Sequence, residues 1–271
     1  MKNSQHNHLF KDLGSVDRRS FLATIPLALM SARNFSFNFP SLTAAITKNN
    51  AHEWDYENRE WGDISQDYQV CKMGKQQSPI DLNSTIKSEL KPVEIHYQDI
   101  QLSVINNSHT IQVNNQLENF IILDDHKFDL LQFHFHHPSE HSVSGKNYPM
   151  EIHFVHKNED GNLAVLAVFL QEGRENKTLQ QIWDVMPSQK SLEKYFFDIS
   201  ISPFQLLPKE SEIYRYFGSL TTPPCSEIVN WIVFKEPLEI SSAQFQQFQN
   251  IFPNNARQTQ PINRRSILTS I

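Results

Sequence analysis

The sequence predicts a mainly β (α+β) protein organised as a single domain behind a short N-terminal leader. Three observations predict this. Short runs of alternating apolar and polar residues recur from residue 93 onward, separated by Asn-rich punctuation. One unbroken apolar run, Leu163-Ala164-Val165-Leu166-Ala167-Val168-Phe169-Leu170, suits a central strand buried on both faces. Helical periodicity is confined to two short stretches. The 271 residues, 39% of them apolar, suffice for one substantial core.

Residues 1–45 read as an export signal and linker. Asp17-Arg18-Arg19-Ser20-Phe21-Leu22 precedes a modest apolar run from Ala23 to Met30, then the small residues Ser31 and Ala32. This twin-arginine pattern predicts a periplasmic protein; an amphipathic N-terminal helix is the alternative. Ala32 and Ala45 both suit cleavage. Linker-like Asn, Ser and Thr continue to residue 51.

The domain is expected over residues 52–271. Trp54, Tyr56 and Trp61 sit in what reads as irregular structure, where aromatics cap a core edge or line a pocket mouth. Pro79 in Gln77-Ser78-Pro79-Ile80-Asp81 fixes a turn or an extended entry to a strand. Alternating runs at 93–97, 102–105, 110–113 and 120–123 read as strands. Asn106-Asn107 and Asn114-Asn115 punctuate them as hairpin turns do. Residues 132–136 and 151–156 are two more strands. Residues 175–198 form the best helical candidate, with Leu179, Ile182, Trp183 and Met186 at helical spacing and Pro187 as a limit. A proline-bounded loop is expected at 203–208, and strands at 214–217 and 228–234. A helix capped by the Ser241-Ser242 pair is expected over 241–251.

The chemistry concentrates in the strands at 132–136 and 151–156. Period-two alternation puts Gln132, His134 and His136 on one face and Phe133 and Phe135 on the other. By the same parity Glu151, His153 and Val155 point together. If the two strands are neighbours, three imidazoles converge, with an amide and a carboxylate behind them as acceptors for imidazole N–H. Three His donors with the fourth position left to water is the pattern of a catalytic zinc site. His137 and His156 point to the opposite faces. Together with His141 they are expected to make structural hydrogen bonds, and His126 reads as a turn residue.

The net charge of −6 gives no reason to expect nucleic acid or an anionic membrane as partner. No apolar run is long enough to span a bilayer. In an exported chain the two cysteines, Cys71 and Cys225, are expected to form one disulfide, with two separate buried thiols as the alternative. Chain entropy assigns such a bridge roughly 4–5 kcal/mol.

Taken together, Gln132-Phe133-His134-Phe135-His136, Ser139-Glu140-His141, Glu151-Ile152-His153-Phe154-Val155-His156, Gly218-Ser219-Leu220-Thr221-Thr222-Pro223-Pro224 and Trp231-Ile232-Val233 resemble the α-class carbonic anhydrases. Gln77-Ser78-Pro79-Ile80-Asp81 and Asn255-Ala256-Arg257-Gln258-Thr259-Gln260-Pro261 resemble the same family's outer motifs, in the same order. The short interval between His136 and His153 resembles bacterial, exported members. The resemblance implies a twisted, mostly antiparallel sheet of about ten strands with short peripheral helices.

It also implies reversible hydration of CO2 to bicarbonate and a proton, by a zinc-bound hydroxide. His134, His136 and His153 take the metal-ligand positions. Glu140 and Thr221 match the pair that orients the hydroxide, with the threonine hydroxyl donating to the carboxylate. Val155, Val165, Leu220, Val229 and Trp231 match the dry patch for CO2, and Thr222 lines the mouth. His109 matches the proton shuttle. Tyr56, Asn107 and Gln112 match positions that hold the relaying waters, although many members carry asparagine at the Gln112 position. Cys71 and Cys225 match a disulfide of secreted members, and some bacterial members pair as homodimers. Non-catalytic members lack one or more of the three histidines. A structural zinc site would need a fourth protein ligand, for which the sequence offers no candidate.

Overall fold

The computed structural model describes residues 53–58 and 60–271. The export signal and linker read over 1–45, and His52, lie outside the described residues. Alternation becomes strand from residue 81 onward. The first strands are β1 (Asp81–Leu82), β2 (Ile86–Ser88), β3 (Glu94–His96), β4 (Ile100–Asn106), β5 (Ile111–Asn114) and β6 (Phe120–Leu123). Then follow β7 (His126–His136), β8 (Ser142–Val143), β9 (Lys146–Asn147), β10 (Met150–Lys157) and β11 (Leu163–Glu172). The last are β12 (Lys194–Ile201), β13 (Ile213–Gly218), β14 (Val229–Phe234), β15 (Leu238–Ile240) and β16 (Leu268–Ser270).

Ten strands run edge to edge in the order β12-β4-β5-β7-β10-β11-β14-β13-β16-β2. Only β11–β14 and β16–β2 are parallel along that path. The predicted architecture, about ten mostly antiparallel strands with few short helices, is therefore found. β11 lies inside the sheet, and residues 163–170 are all buried, as the unbroken apolar run requires.

The sheet separates two apolar clusters. The larger contains Phe133, Phe135, Phe154 and Leu166 and is covered by Leu179, Ile182, Trp183 and Phe248 from two helices. The smaller contains Val155, Val165, Val229, Trp231 and Tyr216. Residue parity on β7 and β10 decides which residue joins which, so the phenylalanines face one cluster and the histidines the other side.

The helix at Ser242–Gln249 begins as expected. Ser241 Oγ accepts from the backbone N–H of Gln244, whose side chain closes a capping box. The helix expected over 175–198 is much shorter. It spans Lys177–Trp183, starting at Asn176, whose side chain accepts from the Leu179 N–H. Residues 194–201 are instead strand β12. Pro187 cannot continue the helical hydrogen bonding, and Tyr195-Phe196-Phe197 favours a pleated surface. The loop expected at 203–208 contains a 3-10 turn, Pro203–Leu206.

Cys71 and Cys225 are joined in a disulfide across 154 residues. The bridge ties the short helix Val70–Met73 to the turn that follows Thr221 and Thr222, where the Cys225 N–H donates to the Thr222 carbonyl. Among the described residues no helix is long and apolar enough to cross a membrane.

Candidate metal centre

β7 and β10 are antiparallel neighbours with His153 opposite His134 and Glu151 opposite His136. Opposed residues project to the same face, so the three imidazoles meet. Ring centroids are 4.9 Å apart for His134–His136, 5.4 Å for His134–His153 and 4.6 Å for His136–His153. One ring nitrogen from each lies within 4.8 Å of the other two.

The opposite nitrogen of each ring is tied down. His134 Nδ1 is 2.8 Å from Gln132 Oε1, His136 Nδ1 is 2.8 Å from the Asn255 carbonyl, and His153 Nε2 is 2.8 Å from Glu151 Oε1. An acceptor on one nitrogen fixes the proton there and leaves the other with its lone pair. His134 Nε2, His136 Nε2 and His153 Nδ1 are therefore the three donors turned inward. Burial, then the neighbouring imidazoles, hold His134 well below its ordinary pKa, and burial likewise lowers His136. Both are neutral at neutral pH, the form that binds a metal.

His136 Nε2 is fully buried and has no hydrogen-bond partner. A buried polar atom left unpaired is costly, and a cation between the rings would satisfy it. The donor set is three imidazole nitrogens, and Glu140 is not part of that group. The residues fit a zinc ion with an open position.

Glu151 is the hub behind the ligands. Its carboxylate accepts from His153 Nε2, from His141 Nδ1 at 2.6 Å and from the His141 backbone N–H at 2.9 Å. Burial alone would raise its pKa, but the imidazoles of His141 and His153 outweigh that and hold it well below the carboxylate range. His141 Nε2 lies 2.7 Å from the Tyr216 hydroxyl. His137 and His156 also make structural bonds: His137 Nδ1 meets the Pro149 carbonyl and His156 Nδ1 the Ala164 carbonyl. His126 opens β7, with Nδ1 on the Asp124 carbonyl of the preceding turn.

Glu140 is buried beside the donors. Its Oε1 accepts from the Arg257 backbone N–H at 2.8 Å, while Oε2 has no hydrogen-bond partner. That oxygen lies 3.6 Å from His136 Nε2 and 3.8 Å from His153 Nδ1. The hydrogen bond expected from Thr221 to Glu140 is thus not formed through Oε2, because the carboxylate turns toward the imidazoles. Thr221 is buried and Thr222 half-buried in the adjoining turn.

The apolar residues gather as the resemblance implies. Val155 opposes Val165, which opposes Trp231, and Val229 and Leu220 join the same cluster. The Trp231 ring meets that of His153 edge-on at 4.9 Å, so this patch abuts the donors.

His109 lies in the β4–β5 turn. Its backbone N–H donates to Asn107 Oδ1, and its carbonyl accepts from Asn255 Nδ2, both at 2.9 Å. Its ring stacks on Trp54 with centroids 3.9 Å apart and planes at 6°, and Tyr56 lies edge-on at 6.4 Å. Burial and then Lys190 lower its pKa, with Asp55 opposing. Burial and then Glu140 raise the Tyr56 phenol well above its usual value, so it stays protonated. Gln112 stands opposite His134 and bridges Asn107 to Asn114.

Three contributors escape the sequence reading: the Asn255 carbonyl, the Arg257 N–H and the Trp54 ring. The first two act through backbone atoms, which leave no side-chain pattern. Trp54 is visible only as one of several aromatics near the start of the domain.

A mostly antiparallel sheet carries three inward imidazoles, which could hold a metal ion, beside an apolar patch. Residues 56–271 match the family model described as eukaryotic-type carbonic anhydrase. A carbonic anhydrase of Nostoc sp. is 41% identical over 263 residues, covering 94% of this chain and 98% of that one. The α-carbonic anhydrase of Thermovibrio ammonificans, solved with the inhibitor sulfanilamide, is similar at TM-score 0.78 and 46% identity, over 80% of this chain and 99% of its own. That of Photobacterium profundum gives TM-score 0.75 and 42% identity, over 80% and 100%. The chain belongs to the eukaryotic-type, or α, carbonic anhydrase family and is an enzyme of that family.

Proposed function

We propose that this chain catalyses the reversible hydration of CO2 to bicarbonate and a proton, with zinc held by His134, His136 and His153 and proton relay through His109. The observation that carries the reading is the convergence of three ring nitrogens within 4.8 Å, each ring anchored at its other nitrogen. As in the carbonic anhydrases that serve as the reference case for this chemistry, a bound zinc supplies a water acidic enough to ionise near neutral pH. Neutral donors suit the task because they leave the cation its full charge.

The chain's own residues do the rest. Gln132, Asn255 and Glu151 hold the imidazoles in place, so little reorganisation is needed during turnover. Val155, Val165, Leu220, Val229 and Trp231 offer apolar CO2 a dry surface next to His153. Thr222 lines the mouth. An ionised carboxylate only accepts, so a threonine hydroxyl turned toward Glu140 must donate to it, and the Thr221 oxygen then accepts a hydrogen bond from the nucleophile's O–H and aims it.

His109 accepts the proton released in each cycle. Its lowered pKa keeps the imidazole neutral, and so receptive, to more acidic pH than an ordinary histidine. Tyr56, Asn107 and Gln112 hold the intervening waters. The disulfide and the Arg18-Arg19 pattern support a periplasmic location reached by the twin-arginine route.

Elemental analysis combined with a CO2-hydration assay tests the reading. One zinc per chain and hydration well above background are expected. A zinc-loaded protein without hydration would contradict it.

A further inference from the structure

We propose that the groove between β13 and the segment 261–266 binds a small organic oxyanion, a flat apolar body bearing a carboxylate or a phosphate. The groove arises because β16 pairs with β13 only at Tyr214 and Arg215. Beyond them the edge of β13 is left to the segment 261–266, whose Arg265 donates to the Phe217 carbonyl. The resulting cavity measures about 1010 Å³. That is the upper end of the range for small-molecule sites, so the occupant is a free small molecule.

The lining is cationic on a chain whose net charge is −6. Lys75, Arg215, Arg264 and Arg265 share it with one carboxylate, Asp124. Asp124 is already engaged: both its oxygens accept from Arg215, which also donates to Asn230. Arg265 is held without a counter-ion, donating to the carbonyls of Ile262, Phe217, Gln77 and Pro261. Its charge is thus positioned but not neutralised by contact. Glu227, which acts on Arg265 at longer range, accepts from the Gln76 N–H and the Gln77 amide. Lys75 and Arg264 are exposed, and among the described residues neither side chain has an ion-pair or hydrogen-bond partner. Both are free to close on an oxyanion, Arg264 with a planar fork.

The apolar part of the site is Phe217 with Leu268. Phe217 is 62% exposed, although its strand neighbours Tyr216 and Gly218 are buried. A large ring left in water beside uncompensated cations suits a ligand that carries both an apolar face and a negative charge. An inorganic ion would use the charges and leave the ring idle. A neutral ligand would use the ring and leave the charges idle.

Isothermal titration calorimetry on the full chain, with 2-naphthoate and 2-naphthyl phosphate as probes, tests this. At least one is expected to bind at one site per chain with Kd below about 1 mM, and the pair shows which oxyanion is preferred. Acetate and inorganic phosphate, which lack the ring, and 2-naphthol, which lacks the charge, are each expected to bind about tenfold or more weakly. Lys75→Glu and Arg264→Glu are each expected to weaken the tighter probe about tenfold or more. Both variants are expected to keep the wild-type melting temperature, since both side chains are exposed. The absence of binding by either probe up to about 10 mM overturns the proposal. So does binding indifferent to both charge reversals, which places the probe elsewhere, or binding no tighter than that of the ringless anions.

Discussion

Glu151 restrains two imidazoles and a backbone N–H with one buried carboxylate, so a conservative change there tests the support behind the ligands. Glu151→Gln keeps the volume but removes the charge and one acceptor. It is expected to weaken zinc about 10–100-fold, as measured by competition with a chelator. Unchanged affinity would show that His153 needs no such anchor. His109→Ala is expected to slow turnover in dilute buffer about tenfold or more, and added imidazole is expected to restore it. A variant rate indifferent to buffer would remove His109 from the proton path. Much of this was legible at the residue scale because a strand's period of two fixes which side chains converge. Gln132, Glu151 and the three histidines lie where parity puts them. The Asn255 carbonyl was not legible, because any residue supplies one and only the fold brings it to His136.

At the scale of elements, strands flanked by Asn-rich turns were readable, and the expected extent of the helix at 175–198 was not. Leu179, Ile182 and Trp183 do share a buried face, but the pattern says nothing about where the next element starts. Beyond Pro187 the chain joins the edge of the sheet, and tertiary pairing with β4 outweighs local spacing. The disulfide connects elements distant in sequence, a short N-terminal helix and the turn carrying Thr221 and Thr222. Replacing Cys71 and Cys225 by serine is expected to lower stability by about 2–5 kcal/mol in denaturant unfolding. A loss under about 1 kcal/mol would mean that the bridge closes an already restrained loop.

For the whole molecule, acid sensitivity follows from a buried histidine on the face of β10 opposite the proposed ligand His153. His156 is fully buried, with the Tyr97 hydroxyl 2.5 Å from Nε2 and the Ala164 carbonyl at Nδ1, and burial pushes its pKa down to about 4. An unfolded histidine titrates near ~6.5. Between these values the unfolded chain binds the extra proton, so stability falls as pH drops through that window and is unaffected above it. Chemical denaturation at pH 7 and pH 4.5 is expected to differ by about 2.5 kcal/mol more in the wild type than in His156→Gln. Equal pH dependence would place the titrating group elsewhere. Strand order was the least legible feature at this scale. The alternating runs do not say that β11 lies between β10 and β14, yet that placement sets Trp231 beside His153. The central claim is a cation held by three neutral nitrogens with a corner left open. X-ray absorption at the zinc edge on the purified full chain addresses it directly. The expected result is three imidazole nitrogen scatterers at about 2.0–2.1 Å and one further oxygen donor, without sulfur. A sulfur shell, or fewer than three imidazoles, would contradict the assignment.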